Sequence, residues 1–209
     1  MQYGFVCQPI SNGFEAVAYE ILVREITDDR AALSSTSILQ WAHGEVGRLR
    51  AIDRDSLELA IASSATGIPH HINISVETVG DYGYFADLGK VLLDGINPSL
   101  IVLEISEAID PTPELTQRWI GQIRTMGFPV ILDDFGHYHG NNRALNLFDP
   151  DGIKIDGDIV RHCTEKRTLK IIEKDLRFCQ EQDLSCVAEH VAKDAIYREL
   201  VKLCDRLGL

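Results

Sequence analysis

Seven polar residues stand out by the company they keep. Glu20, Asn73, Glu104, Asp133, Asp134, Lys154 and Glu189 each lie within or just after a short apolar run, and only Asp133 and Asp134 share one. Charged side chains are rare among apolar strand neighbours unless they are paired or bind a metal. Oxygen ligands from Glu, Asp and Asn are the set that Mg²⁺, Mn²⁺ or Ca²⁺ prefers. Several carboxylates crowded together cannot all stay ionised without cations between them. Two divalent ions held this way would suit in-line attack of water on a phosphodiester, one at the attacking oxygen and one at the leaving oxygen. A lysine beside them can orient the water or offset developing charge, and Glu189 can serve as general base.

The elements that would position these groups alternate along the chain. Apolar runs at residues 6–10, 16–23, 71–75, 101–105, 130–133, 152–155 and 185–188 read as strands. Their cores, such as Ile-Val-Leu-Glu-Ile and Val-Ile-Leu-Asp-Asp, are apolar nearly throughout, as parallel strands buried on both faces should be. Amphipathic stretches at 35–45, 50–63, 83–93, 113–126, 168–182 and 193–207 read as helices. Repeated strand–helix units predict a parallel sheet closing into a barrel, whose strand C-termini converge on one mouth. Only Ser11-Asn-Gly-Phe-Glu15 separates the first two strands, which is hairpin spacing, so one of them is expected to run antiparallel. A full barrel of this type needs about 250 residues. The expected fold class is therefore α/β: a modified TIM-like (β/α)8 barrel with one antiparallel strand, lacking its last strand and helix, with residues 1–209 as a single domain.

Composition excludes several classes. The chain has 209 residues, 45% hydrophobic, with a formal net charge of −12. A broad nucleic-acid footprint would be basic, so no nucleic-acid polymer is expected as a partner. An acidic chain can still hold a small phosphate ligand if cations intervene. No apolar run approaches the ~20 residues that cross a bilayer, so no membrane partner is expected. The start, Met-Gln-Tyr-Gly-Phe, does not read as a signal peptide. The five cysteines form no Cys-x-x-Cys pair and read as reduced thiols, which predicts a cytoplasmic protein. Cys186 reads as a small core residue rather than a nucleophile.

The ordered motifs resemble one family. Tyr19-Glu-Ile-Leu-Val-Arg24 resembles the EAL signature with isoleucine for alanine, and Gln8-Pro9-Ile10 resembles the strand before it. Asn73-Ile-Ser75, Glu104-Ile-Ser-Glu107, Asp133-Asp-Phe-Gly136, Lys154-Ile-Asp156 and Val187-Ala-Glu189 follow in the family's order. The resemblance implies an EAL-type domain that cleaves cyclic di-GMP to linear pGpG with Mg²⁺ or Mn²⁺ at a two-metal site. It implies that Glu20, Asn73, Glu104 and Asp133 hold one metal and that Asp134 bears on the second. Lys154 would position the water, and Glu189 would be the base. Gln8, Leu22, Arg24 and Asp156 would bind substrate, while Glu107 would brace a loop. It further implies bacterial second-messenger signalling, in biofilm or motility control, and a homodimer or a regulatory protein partner.

Three departures matter. The family's Thr-Gly-Tyr-Ser-Ser-Leu after Asp-Asp-Phe-Gly reads His137-Tyr-His-Gly-Asn-Asn142 here. Its Ala-Glu-Gly-Val-Glu reads Ala188-Glu-His-Val-Ala192, which removes one carboxylate. The Gln-Gly-Tyr strand expected after Leu209 is absent from the sequence. The altered loop and Ala192 carry the alternative reading, a catalytically inactive EAL module that binds cyclic di-GMP or a protein partner as a regulator. His137 and His139 could supply nitrogen ligands to a transition metal, or could be ordinary histidines on a solvated loop. Arg24 could contact phosphate or simply neutralise a nearby acid.

Overall fold

Strand and helix alternate from end to end, and the described residues fall into two units. The computed structural model describes residues 2–27, 30–31, 35–75, 77–106, 113–136, 145 and 148–209, with backbone alone at 30, 31 and 113. The first unit comprises residues 1–105 and 109–130, and the second 106–108 and 131–209.

In the first unit, β1 (Tyr3–Ser11) and β2 (Ala16–Thr27) form the expected antiparallel hairpin. Its turn is closed by the Asn12 carboxamide, which accepts from the backbone N–H groups of Phe14 and Glu15 at 3.3 Å each. Gly13, at φ +101°, adopts the backbone that such a turn demands. A short β3 (Arg30–Ala31) extends β2 antiparallel, a pairing the sequence pattern did not reveal. From β2 onward the sheet is parallel: β4 (His70–Ile74) pairs with β2, and β5 (Ile101–Ser106) pairs with β4.

The helices of this unit are α1 (Thr36–His43), α2 (Arg48–Ser63), α3 (Tyr82–Leu93) and α4 (Pro113–Thr125). Residues 101–105 of β5 are all buried, as a strand covered on both faces should be. Under α1 and α2, Ile38, Ala42, Leu49 and Ile52 form a core against Tyr3, Phe5, Val23 and Trp41. The Arg48 guanidinium sits 4.2 Å above the Trp41 ring and closes one edge of that core.

The second unit contains β6 (Val130–Phe135, from Ile131 on), β7 (Gly152–Ile155) and β8 (Ser185–Ala188), with parallel pairings between neighbours. Its helices are α5 (Gly157–Arg161), α6 (Lys166–Gln182) and α7 (Asp194–Leu207). Between Leu132 and Phe135, β6 takes one residue more than β7, so the strand bulges at its acidic pair. Asp134 takes a left-handed backbone there, at φ +54°. β7 and α5 run close to their neighbours: a Cβ on Gly152 would collide with Ser185, and one on Gly157 with the His190 ring. No helix among the described residues is long and apolar enough to cross a membrane.

Leu103 is 0% exposed at the centre of β5. Leu103→Ala is expected to cost about 2–5 kcal/mol of stability in urea unfolding, and a loss under about 1 kcal/mol would contradict this account of the core.

Candidate metal and active site

The first unit builds one donor face from strand register. Register partners on adjacent strands share a face, and residues two apart on one strand do too. Glu20 is opposite His71, and Asn73 is opposite Glu104, so these four side chains lie on one face of β2, β4 and β5. The Asn73 carboxamide donates to Glu20 Oε1 at 3.3 Å. Glu104 is only 1% exposed and meets His71 Nδ1 through Oε1 at 2.8 Å. Gln8 stands opposite Glu20 on β1, and Leu22 and Arg24 continue the same face along β2. Gln8 is exposed, Leu22 and Arg24 are half-buried, and Arg24 Nη1 donates to the Val23 carbonyl at 2.8 Å.

The turn after Asn73 is tied down from below. Asp53 of α2 is 4% exposed, and its Oδ2 accepts from Ser75 N at 2.9 Å, Ser75 Oγ at 2.6 Å and Thr78 Oγ1 at 2.6 Å. Neither Asp53 nor His71 was singled out by sequence. Asp53 sits in a run, Asp53-Arg54-Asp55, that reads as a solvated helix face. Only its place in the helix stripe with Leu49, Ile52 and Leu57 could have flagged it. Burial pushes the Asp53 carboxyl up to about 6. The hydrogen bonds from Ser75 and Thr78 pull it down less strongly, and the Glu77 charge adds a little upward.

The second unit holds a buried lysine among carboxylates. Lys154 is 1% exposed, with Nζ 3.1 Å from Asp133 Oδ1 and 2.8 Å from Glu189 Oε1. The bulge in β6 matters here, because consecutive strand residues would otherwise point to opposite faces. Instead Asp133, Asp134 and Glu189 each offer a carboxylate oxygen, and those oxygens lie within 4.8 Å of one another. Three hard oxygens at that separation fit a divalent cation, whose ligands stand about 2.0–2.6 Å from the ion. Glu189 is anchored just beyond β8 by its backbone N–H to the Ile155 carbonyl at 3.3 Å.

Asp156 is 8% exposed and caps α5, its Oδ1 accepting from Asp158 N at 2.8 Å. Its observed placement is that of a helix cap. Glu107, His137, His139, Asn141 and Asn142 lie outside the described residues. His190, where the family motif has glycine, holds a left-handed backbone at φ +52°, and Ala192 is exposed. All five cysteines are free, and contact with Cys179 together with burial raises the Cys186 thiol.

Comparison with known proteins places the chain in a family. Residues 3–207 match the EAL domain family, and the chain belongs to it. It is 24% identical over 207 residues to the cyclic di-GMP phosphodiesterase PdeF of Escherichia coli, covering 95% of this chain and 28% of that protein. It is 25% identical over 215 residues to the probable cyclic di-GMP phosphodiesterase PdeI of the same organism, covering 95% of this chain and 27% of the relative. The chain thus spans less than a third of the length of these two curated relatives. Among solved structures, the PaMucR phosphodiesterase in complex with c-di-GMP superposes with a TM-score of 0.84 at 19% identity, over 97% of this chain and 86% of that one. The FimX EAL domain from Pseudomonas aeruginosa bound to c-di-GMP superposes with a TM-score of 0.82 at 19% identity, over 96% of this chain and 85% of that one. The BlrP1 manganese/cy-diGMP complex from Klebsiella pneumoniae does so with a TM-score of 0.82 at 18% identity, over 96% of this chain and 52% of that one. These likenesses bear out the TIM-like α/β fold class expected from the sequence.

Asp53 gives this region a pH signature. Its folded value, about 6, lies above the ordinary 3.8, so the native state binds its proton first as pH falls. The group's contribution is therefore present at low pH and lost as pH rises through about 6. The stability of the wild type relative to Asp53→Asn should grow, by up to about 3 kcal/mol, as pH is lowered from 7 to 4. A difference that stays flat across that window in denaturant titrations would show that Asp53 is not held as described.

Proposed function

We propose that this domain hydrolyses one phosphodiester bond of cyclic di-GMP to give linear pGpG, using Mg²⁺ or Mn²⁺. The observation that carries the reading is the cluster of Asp133, Asp134 and Glu189 oxygens around a buried, doubly paired Lys154. Its support comes also from membership of the EAL family and from relatives named as cyclic di-GMP phosphodiesterases. Glu20, Asn73, Glu104, Asp133 and Asp134 are the residues that would hold divalent ions. Such ions polarise the scissile phosphate and lower the pKa of water beside it.

The chain's own groups do the rest. Lys154, fixed by its two carboxylate partners, orients the attacking water and offsets negative charge as it develops on phosphate. Glu189, 2.8 Å from that ammonium, takes the water's proton. Leu22, Arg24 and Gln8, on the face of Glu20, bind the nucleotide. The site belongs to a cytoplasmic signalling domain, because its substrate is an intracellular second messenger.

Ala192 favours one second reading, since the family motif has a glutamate there. In that reading the domain binds cyclic di-GMP without turning it over. Incubation of the purified domain with cyclic di-GMP and Mg²⁺ or Mn²⁺, followed by anion-exchange chromatography, separates the two. We expect pGpG to form, to be lost on chelation, and to fall by about 10²–10⁴-fold in Glu189→Gln. Binding by calorimetry without product would establish the receptor reading, and neither binding nor product would overturn both.

A further inference from the structure

Beside Glu20, Asn73 and Glu104 in the first unit sits a histidine that this mechanism does not use. His71 lies two residues before Asn73 on the same strand and faces the same way. Its register partner on β2 is Glu20, and Asn73's on β5 is Glu104. His71 is thus surrounded on its face by three of the residues to which metal binding is assigned. Its side chain is 8% exposed, and that of Glu104 is 0% exposed, with 2.8 Å between Nδ1 and Oε1.

An ionised carboxylate can only accept hydrogen bonds, so the proton in this contact belongs to Nδ1. A buried carboxylate is otherwise costly and, at the end of glutamate's three rotatable bonds, poorly aimed. A charge-assisted hydrogen bond from a ring packed into the sheet addresses both difficulties. Partners of this kind, standing behind a ligand, commonly set its orientation and basicity.

We propose that His71 is a positioning residue for divalent-metal binding: by donating from Nδ1 to Glu104 Oε1 it holds that carboxylate in one orientation for the ion. The inference rests on the metal-binding reading of the site given above, and goes beyond it by assigning a role to a residue outside the motif set. It is distinct from a direct-ligand role, because Nδ1 is engaged with the carboxylate rather than turned toward a cation.

Two measurements on the intact domain test it. Proton-detected ¹⁵N correlation spectra of the metal-free protein report which ring nitrogen of His71 is protonated. A protonated Nδ1 is expected, and a bare Nδ1 with hydrogen only on Nε2 overturns the inference whatever the metal does. Electron paramagnetic resonance of free Mn²⁺ then gives affinities for wild type, His71→Asn, His71→Gln and His71→Leu. His71→Leu should weaken Mn²⁺ binding by about 10–100-fold. His71→Asn, whose amide nitrogen can occupy the place of Nδ1, should recover most of that loss, and His71→Gln, with its amide one methylene further out, should not. If His71→Leu does not fold, the ratio between the Asn and Gln variants carries the test, and equal affinities overturn the proposal. Wild type and all variants binding Mn²⁺ equally sinks the role of His71 alone. A wild type that binds no Mn²⁺ sinks the metal reading itself, and this inference with it.

Discussion

Lys154 carries an ammonium group into a place where the residue is 1% exposed, and two carboxylates of the second unit answer to that charge. An unpaired buried cation would cost several kcal/mol even after relaxation. Asp133 of β6 and Glu189 just beyond β8 meet it at 3.1 and 2.8 Å. To hold those partners, β7 must place Lys154 between β6 and β8, which its parallel pairings to both achieve. Buried pairs of this kind do not stabilise a fold reliably, and replacing them with apolar residues is often neutral. Their retention here makes chemical sense: a fixed positive charge among converging carboxylates can steer a water or a phosphate.

The same logic, at lower charge, runs through the first unit. Glu104 stands in an otherwise apolar strand and is compensated by His71. Asn73 ends a strand whose following turn is gripped by Asp53 through three hydrogen bonds to one oxygen. Glu20 is reached by Asn73 across the sheet. In each case a side chain or a turn at the site is held by a side chain from a neighbouring element. Orientation of this sort, prepared before any ligand arrives, is what electrostatic catalysis requires.

How much of this could be read from sequence follows from the physics of buried strands. In a strand covered on both faces, apolar residues run unbroken, so Glu104 and Lys154 were conspicuous. Asp133 and Asp134 were visible too, though not the reason both can serve one cluster. A bulge leaves no mark in a two-residue period, and a left-handed backbone at aspartate is not announced by composition. The hairpin of β1 and β2 was legible because so short a connection, with Asn12 and Gly13 in it, leaves room for little else than a hairpin. The five-residue α5 was missed because so short an element shows no helical period. His71 was missed since a histidine in a strand is usually just packing, and Asp53 because its charged neighbours disguised it. Motif order supplied what periodicity could not, namely the resemblance to the EAL family, which residues 3–207 match.

The central claim is that carboxylates at the strand ends form a divalent-metal centre, and crystallography at the manganese absorption edge tests it most directly. Crystals grown with Mn²⁺ should show an anomalous peak bound directly to carboxylate oxygens of Asp133 and Asp134, at the ~2.0–2.6 Å expected for such ligands. Lys154 should remain beside Asp133 and Glu189 when the ion is present. Saturating Mn²⁺ with no peak at that cluster, or with peaks only at surface carboxylates elsewhere, would contradict the account.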